Sequence, residues 1–311
     1  QQGVAGALGW CMADYNTHKE FGSGDRICYH GVLDMFRNPK LSAAVYASQK
    51  TPRSPSDIVL EVSSSMALGD HPGGFAGACW VFTNAESVRL YRGNDFIAEF
   101  TPDRRGRFAA LPHPPIEVQD FVGSLLEKYE GLDPVAAPQV AAILNEMRRD
   151  ALTLSPLSRA RLLSLRLGWN DLLRMYYKYI GVLGSPSSVY RFEAVWHGRA
   201  VRTVVKEPVQ SVRLECTVLN PLLTDGPTWD CAAVSLRAID QNGNLLPYCG
   251  EAVQLSVEGP VKILGPSVVP LRGGMAGTYL ATTGEAGRAV LHCKMEGALD
   301  TEAALTVRKR G

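Results

Sequence analysis

The 311-residue sequence has almost no net charge, +1 from 32 basic and 31 acidic residues. That balance argues against nucleic acid or another polyanion as partner, because such ligands select a strongly basic surface. No apolar run reaches the length needed to cross a bilayer, so no membrane span is expected. The first residues lack the basic region and cleavage site of a secretory leader, so no signal peptide is expected. Seven cysteines (Cys11, Cys28, Cys79, Cys216, Cys231, Cys249, Cys293) are scattered and none forms a CxxC pair, which argues against a zinc ribbon or redox motif. An odd, dispersed set reads as reduced, mostly buried thiols in a cytoplasmic protein, with a disulfide framework as the competing account. Gly273-Gly274 has no strand–helix context for phosphate binding. Asp240, Asn242 and Asn244 lack the distant Glu and flanking helices of an EF-hand, so a plain hairpin is the better account of them. No Ser-His-Asp order or catalytic Cys setting is visible. Neither a metal nor a cofactor is expected.

What is present gathers near the start. An apolar strand, Val4 to Trp10, runs into the loop Gly9-Trp10-Cys11-Met12-Ala13-Asp14-Tyr15-Asn16-Thr17-His18. A second loop follows, Gly22 to His30. An apolar run that ends in Asp, Tyr, Asn, His and Arg is how the carboxyl end of a buried parallel strand delivers side chains to a site. Asn38-Pro39 then predicts a helix through Gln49, with Pro at the first helical position. One strand, one loop and one helix make the last unit of a larger domain. Such a strand is buried on both faces and needs a neighbour on each edge. Alone, this segment should be poorly ordered, repaired by crystal or oligomer contacts, or completed by a missing part of the protein.

Three stretches carry a resemblance. They are Gly9 to Lys19 as spelled above, Gly24-Asp25-Arg26-Ile27-Cys28-Tyr29-His30-Gly31-Val32-Leu33-Asp34, and Phe36-Arg37-Asn38-Pro39-Lys40. Together they resemble the end of the catalytic barrel in glycoside hydrolase family 2, in its β-galactosidase-like members. The run Asn84 to Tyr91 resembles that family's fourth domain. The resemblance implies a multidomain, mainly β chain. It would hold the last β/α unit of a TIM barrel, an immunoglobulin-like β-sandwich with a helical insertion, and a second immunoglobulin-like β-sandwich.

The pattern beyond residue 51 accords with that expectation. Thr51 to Ser56 is a linker by composition. Short alternating strands follow at Asp57–Val62, Ala78–Thr83, Ser87–Arg92 and Phe96–Phe100, with Arg92-Gly93-Asn94-Asp95 as a turn. From Glu117 to about Gly184 the period is helical. Phe121, Val122, Leu125 and Leu126 mark one helix. Asp133-Pro134 signals the start of a second, lined by Val140, Ile143, Leu144 and Met147, although Pro138 leaves its start open. Ser155-Pro156 starts a third, and Asn170–Ile180 is a fourth. Val189–Val195 and Ala200–Val205 form a hairpin that closes the first sandwich. Strands at Ser211–Val218, Ala232–Ile239, Ala252–Glu258, Thr278–Thr282, Ala289–Met295 and Ala303–Val307 make the second. Arg308-Lys309-Arg310 reads as a solvated tail. The expected domains are a barrel remnant over 1–51, an immunoglobulin-like domain over 52–116 and 185–207, a helical insertion over 117–184, and a final immunoglobulin-like domain over 208–311.

A retaining glycosidase needs two carboxyl groups about 5–5.5 Å apart. In the family both lie before the segment matching residue 1, so the resemblance implies that this chain holds no catalytic residue. It places Trp10 at the wall of the bond-cleavage subsite, its indole offering an apolar face to a sugar; core packing is the competing account. Asp14 and Asn16 would hydrogen-bond sugar hydroxyls, or else cap a loop. His18 and Arg26 are further candidates, with ordinary solvated side chains as the alternative. Family glucuronidases carry Asn-x-Lys-Gly where this chain has Cys28-Tyr29-His30-Gly31. That departure favours a neutral sugar and makes His30 a candidate, with a core histidine as the alternative. Trp80, Trp196 and Trp229 lie on or beside strands; sandwich core is their default, with a carbohydrate-binding face as the alternative. The expected partners are a carbohydrate substrate, the missing N-terminal part of the same enzyme, and a possible second copy of the chain. The reading from a different class is a non-catalytic module whose tandem sandwiches bind carbohydrate or protein.

Overall fold

The computed structural model describes residues 6, 8–20, 24–64, 66, 77–150, 152–181 and 188–310. The chain divides into two units, one of residues 1–43 with 209–311 and one of residues 44–208. Val4, Ala5 and Ala7 of the expected opening strand lie outside the described residues; Gly6, Leu8, Gly9 and Trp10 are described and form no strand.

The first regular elements are two short antiparallel strands, β1 (Tyr15–Asn16) and β2 (Ile27–Cys28). Helix α1 runs over Leu41–Ala47. It starts two residues after Pro39, not at it. Pro39 is held in an isolated bridge to Leu33, and the Lys40 amide donates to the Val32 carbonyl at 3.0 Å. That extended pairing delays the helix.

The unit of residues 44–208 contains β3 (Leu60–Val62), β4 (Trp80–Thr83), β5 (Ser87–Arg92), β6 (Asp95–Phe100) and β7 (Ile116–Glu117). Helices α2 (Leu125–Glu130), α3 (Ala136–Arg149), α4 (Pro156–Ser164) and α5 (Trp169–Tyr179) follow. Strands β8 (Tyr190–Trp196) and β9 (Arg199–Lys206) complete it. The sheets are β3-β4-β7 and β6-β5-β8-β9. Val81, Val88, Leu90 and Phe192 from the sheets share one continuous core with Phe121, Leu126, Ile143 and Leu172 from the helical segment. The helices pack on one another and bury their apolar stripes in the core they share with the strands.

Two helix starts differ from the periodicity. Phe121 and Val122 precede α2, because Asp120 Oδ1 accepts from the amides of Val122 and Gly123 and Gly123 adopts φ +51°. A Cβ there would lie 2.6 Å from the Ile97 carbonyl oxygen. Helix α3 begins at Ala136, capped by Asp133 Oδ1, with Pro138 in its first turn, where no amide is needed. Ser155 and Pro156 behave as the sequence predicts: Ser155 caps α4 and Pro156 opens it.

Glu130 ends α2 and joins it to α5. Its carboxylate is largely covered and accepts from Lys178 Nζ at 2.6 Å, Tyr179 Oη at 2.8 Å and Arg174 Nη1 at 3.0 Å. Burial pushes its pKa up, but these donors outweigh that and bring it down to about 2, from 4.5. A depressed carboxylate stabilises the fold above its unfolded pKa, and that contribution is lost as pH falls through the folded value. With solvent at the lysine and arginine discounted, Glu130→Gln should lower stability by about 1–2 kcal/mol at pH 7. The difference should shrink between pH 4.5 and pH 2. Urea unfolding of both proteins across that range checks it.

The second sandwich has β10 (Arg213–Val218), β11 (Leu222–Asp225), β12 (Cys231–Ile239), β13 (Ala252–Glu258), β14 (Val261–Leu264), β15 (Val268–Pro270), β16 (Met275–Thr282), β17 (Gly287–Met295) and β18 (Thr301–Lys309). Its sheets are β10-β12-β16-β14 and β11-β18-β17-β13-β15. Arg308 and Lys309 are not a solvated tail: they belong to β18, which pairs in parallel with β11, although their side chains stay exposed.

Strands β12 and β16 are buried on both faces. The inner face carries Ala232, Val234, Leu236 and Leu280. The outer face, with Ser235 opposite Gly277, is covered by residues 35–38. The Phe36 ring lies over Gly277 and 5.6 Å from the Tyr279 ring, and Tyr279 Oη donates to the Met35 carbonyl at 3.2 Å. Buried Asn38 donates to Asp34 Oδ2 at 2.7 Å and to the Ala276 carbonyl at 2.9 Å, and accepts from Ser235 Oγ.

Candidate functional site

The candidate residues form one small platform. The β1–β2 pair sets Asn16 opposite Ile27, and the Thr17 amide donates to the Arg26 carbonyl at 2.9 Å. Both loops are thereby joined at their bases. Below them, the Asp14 amide donates to the Leu33 carbonyl at 3.0 Å, and the amides of Val32 and Leu33 return to Cys11 and Met12. Gly31 allows this approach, since a Cβ on it would sit 2.2 Å from the Asp14 amide nitrogen.

Trp10 is 76% exposed in this chain. Its ring meets Tyr15 edge-on at 6.2 Å, and its indole N–H donates to Tyr15 Oη at 3.4 Å. Asn16, His18, Arg26 and His30 are all exposed in this chain. His18 Nδ1 accepts from the Glu20 amide at 3.3 Å, and Arg26 sits at φ +60°. Asp14 differs from the others. Its side chain is 2% exposed, and Oδ1 accepts from the Gly31 amide at 2.9 Å and from Lys40 Nζ at 2.7 Å. A carboxylate buried with a cation and an amide fixes the crossing of the two loops.

The sequence reading missed Arg272. Its guanidinium donates to both Asp25 Oδ2 and Tyr29 Oη, and Tyr29 donates to Asp25. The tyrosine pKa is raised by burial and by its bond to Asp25. No signal near residue 272 connects it to residue 25, because the contact exists only once the chain has folded back. Among the described residues no group of three His, Cys, Asp or Glu side chains could hold a metal ion.

The chain is 31% identical over 274 residues, 87% of its length, to a β-galactosidase from Thermoanaerobacterium thermosulfurigenes. It is 30% identical over 94% of its length to a β-galactosidase from Thermoanaerobacter pseudethanolicus. The chain is thus similar to β-galactosidases over most of its length. It matches a C-terminal portion of them and spans about a third of the length of these curated relatives, 30% and 32%. No family model matches it. A β-glycosidase from Bacteroides vulgatus superposes with TM-score 0.56 at 13% identity, covering 95% of this chain and 30% of that one. A family 2 β-glucuronidase superposes with TM-score 0.54 at 14% identity, covering 97% and 25%. At that identity they show a shared fold. The chain is accordingly mainly β, with several sheets and few helices.

Proposed function

We propose that this chain is the C-terminal part of a retaining β-galactosidase that removes terminal neutral β-linked sugars by double displacement. The observation that carries this reading is the 31% identity to a named β-galactosidase across 87% of the chain. The nucleophile and the acid/base lie in the part of the enzyme that this chain does not span. Residues 1–51 close the barrel wall, and the two sandwiches brace it. Trp10 presents its indole to the sugar, and Asn16, His18, Arg26 and His30 surround that position. Asp14, whose buried carboxylate is held by Lys40 and the Gly31 amide, anchors the platform from beneath instead of meeting the sugar. Leu8, Trp10 and Met12 are 102%, 76% and 66% exposed, an apolar surface of the kind a further domain covers. The odd, dispersed set of seven cysteines fits a reducing cytoplasm.

The isolated chain should show no turnover of nitrophenyl β-galactoside above background. Co-expression with the polypeptide encoded upstream should restore it. In the assembled enzyme Trp10→Ala should lower kcat/KM by about a hundredfold, as loss of a positioning surface does. Turnover by the pure chain would refute the placement of the carboxylates.

A further inference from the structure

Trp80 is not in the sandwich core. Strand β4 alternates, with Val81 and Thr83 buried and Trp80 and Phe82 on the opposite face. The partly buried residues packed against the core include Trp196 but not Trp80. Trp80 instead opens onto a cleft of about 650 Å³ that is also lined by Glu99, Phe100, Phe108, Glu117 and Gln119. That volume lies within the roughly 300–1,000 Å³ of small-ligand pockets.

We propose that this cleft binds a neutral oligosaccharide, at a site separate from the platform around Trp10. The sheet register builds it. Trp80 pairs directly with Glu117 across β4 and β7, so the two share a face. The Val118 amide donates to the Cys79 carbonyl at 2.9 Å, which continues the ladder and brings Gln119 round to the same face two residues on. The Phe108 ring stands perpendicular to the indole, 5.9 Å between centroids at 88°, and forms a side wall. An indole beside a carboxylate and a carboxamide is a sugar-binding combination. The ring covers a patch of sugar C–H groups while the polar side chains take adjacent hydroxyls.

The charge balance selects the class. Glu99 is occupied by Ser87 and by Arg89 at 2.8 Å. Asp103, at the rim, accepts from the amides of Arg105 and Gly106. Glu117 and Gln119 make no side-chain hydrogen bond among the described residues and are left for a ligand. Arg107, whose guanidinium lies 5.4 Å from the Phe108 ring, adds one positive charge to the lining. One acid paired with a cation, and two acids against one arginine, leave the lining with a net negative charge of about one. A phosphate or a uronic acid would be repelled there.

The test labels the full chain with 5-fluorotryptophan and titrates it with β-1,4-galactotetraose. Five fluorine resonances are expected from the five tryptophans, and Trp80→Ala assigns one by its loss. That resonance should shift saturably. Glu117→Gln, which leaves the indole in place, should weaken binding by about tenfold, a typical cost for a central polar contact. Trp10→Ala should leave the Trp80 shift intact, so the outcome is independent of whether the chain belongs to an active β-galactosidase. The proposal is overturned if the Trp80 resonance fails to move or if Glu117→Gln binds as well as the parent. Tighter binding of oligolysine or oligogalacturonate than of the neutral tetrasaccharide would overturn it too.

Discussion

Asn38→Ala should destabilise the unit formed by residues 1–43 and 209–311 by about 2–4 kcal/mol. The side chain is 1% exposed and joins three partners: Asp34, the Ala276 carbonyl and Ser235. Alanine removes the amide and leaves the Ala276 carbonyl and the Ser235 hydroxyl buried without it. Each such group costs about 1–3 kcal/mol. Residues 35–38 should lift from the outer face of β12 and β16. Hydrogen exchange should then speed up at the amides of residues 32–40, while the inner ladder between β13 and β17 keeps its protection. Unchanged exchange over 32–40 would show that Asn38 is not the tether.

Gly277→Ala should have an effect of similar size by a different route, about 3 kcal/mol, at the upper end for overpacking. The added Cβ would lie 2.3 Å from Phe36 Cγ and 2.4 Å from the Val234 carbonyl oxygen. The backbone of β12 cannot yield without breaking its ladder with β16, so Phe36 must leave. The two changes are coupled through one segment, and the double variant should cost less than the sum. Phe36→Ala in the Gly277→Ala background should recover part of the loss, because it removes the clashing ring. Chemical denaturation of the four variants and the parent protein measures both effects.

These two positions show what could be read in advance. The sequence signals the hairpin turns at Gly93 and at Gly198, the buried stripe of α3 and the cap at Ser155, because each depends on residues within a turn or two of one another. It carries most strands of the second sandwich, since period-two alternation is local. It does not show β11, where the buried Asp225 occupies an inward position and breaks the apolar alternation. Nor does it show β14 and β15, which have four and three residues. The platform was legible as a set of residue types, but the inward turn of Asp14 was not. That turn depends on Lys40 and on the room that Gly31 provides.

The sequence by itself determined the likeness to β-galactosidases, the alternation of the strands and the apolar stripes of the helices. All of these are written in short-range order along the chain. Only the tertiary structure decided that Asn38 is bound to Ala276, 238 residues away, that Arg272 meets Asp25, and that Trp80 faces outward. The physical reason is the same in each case. A periodic pattern says that a side chain has a face to bury or to show, but which distant segment covers that face is settled by packing.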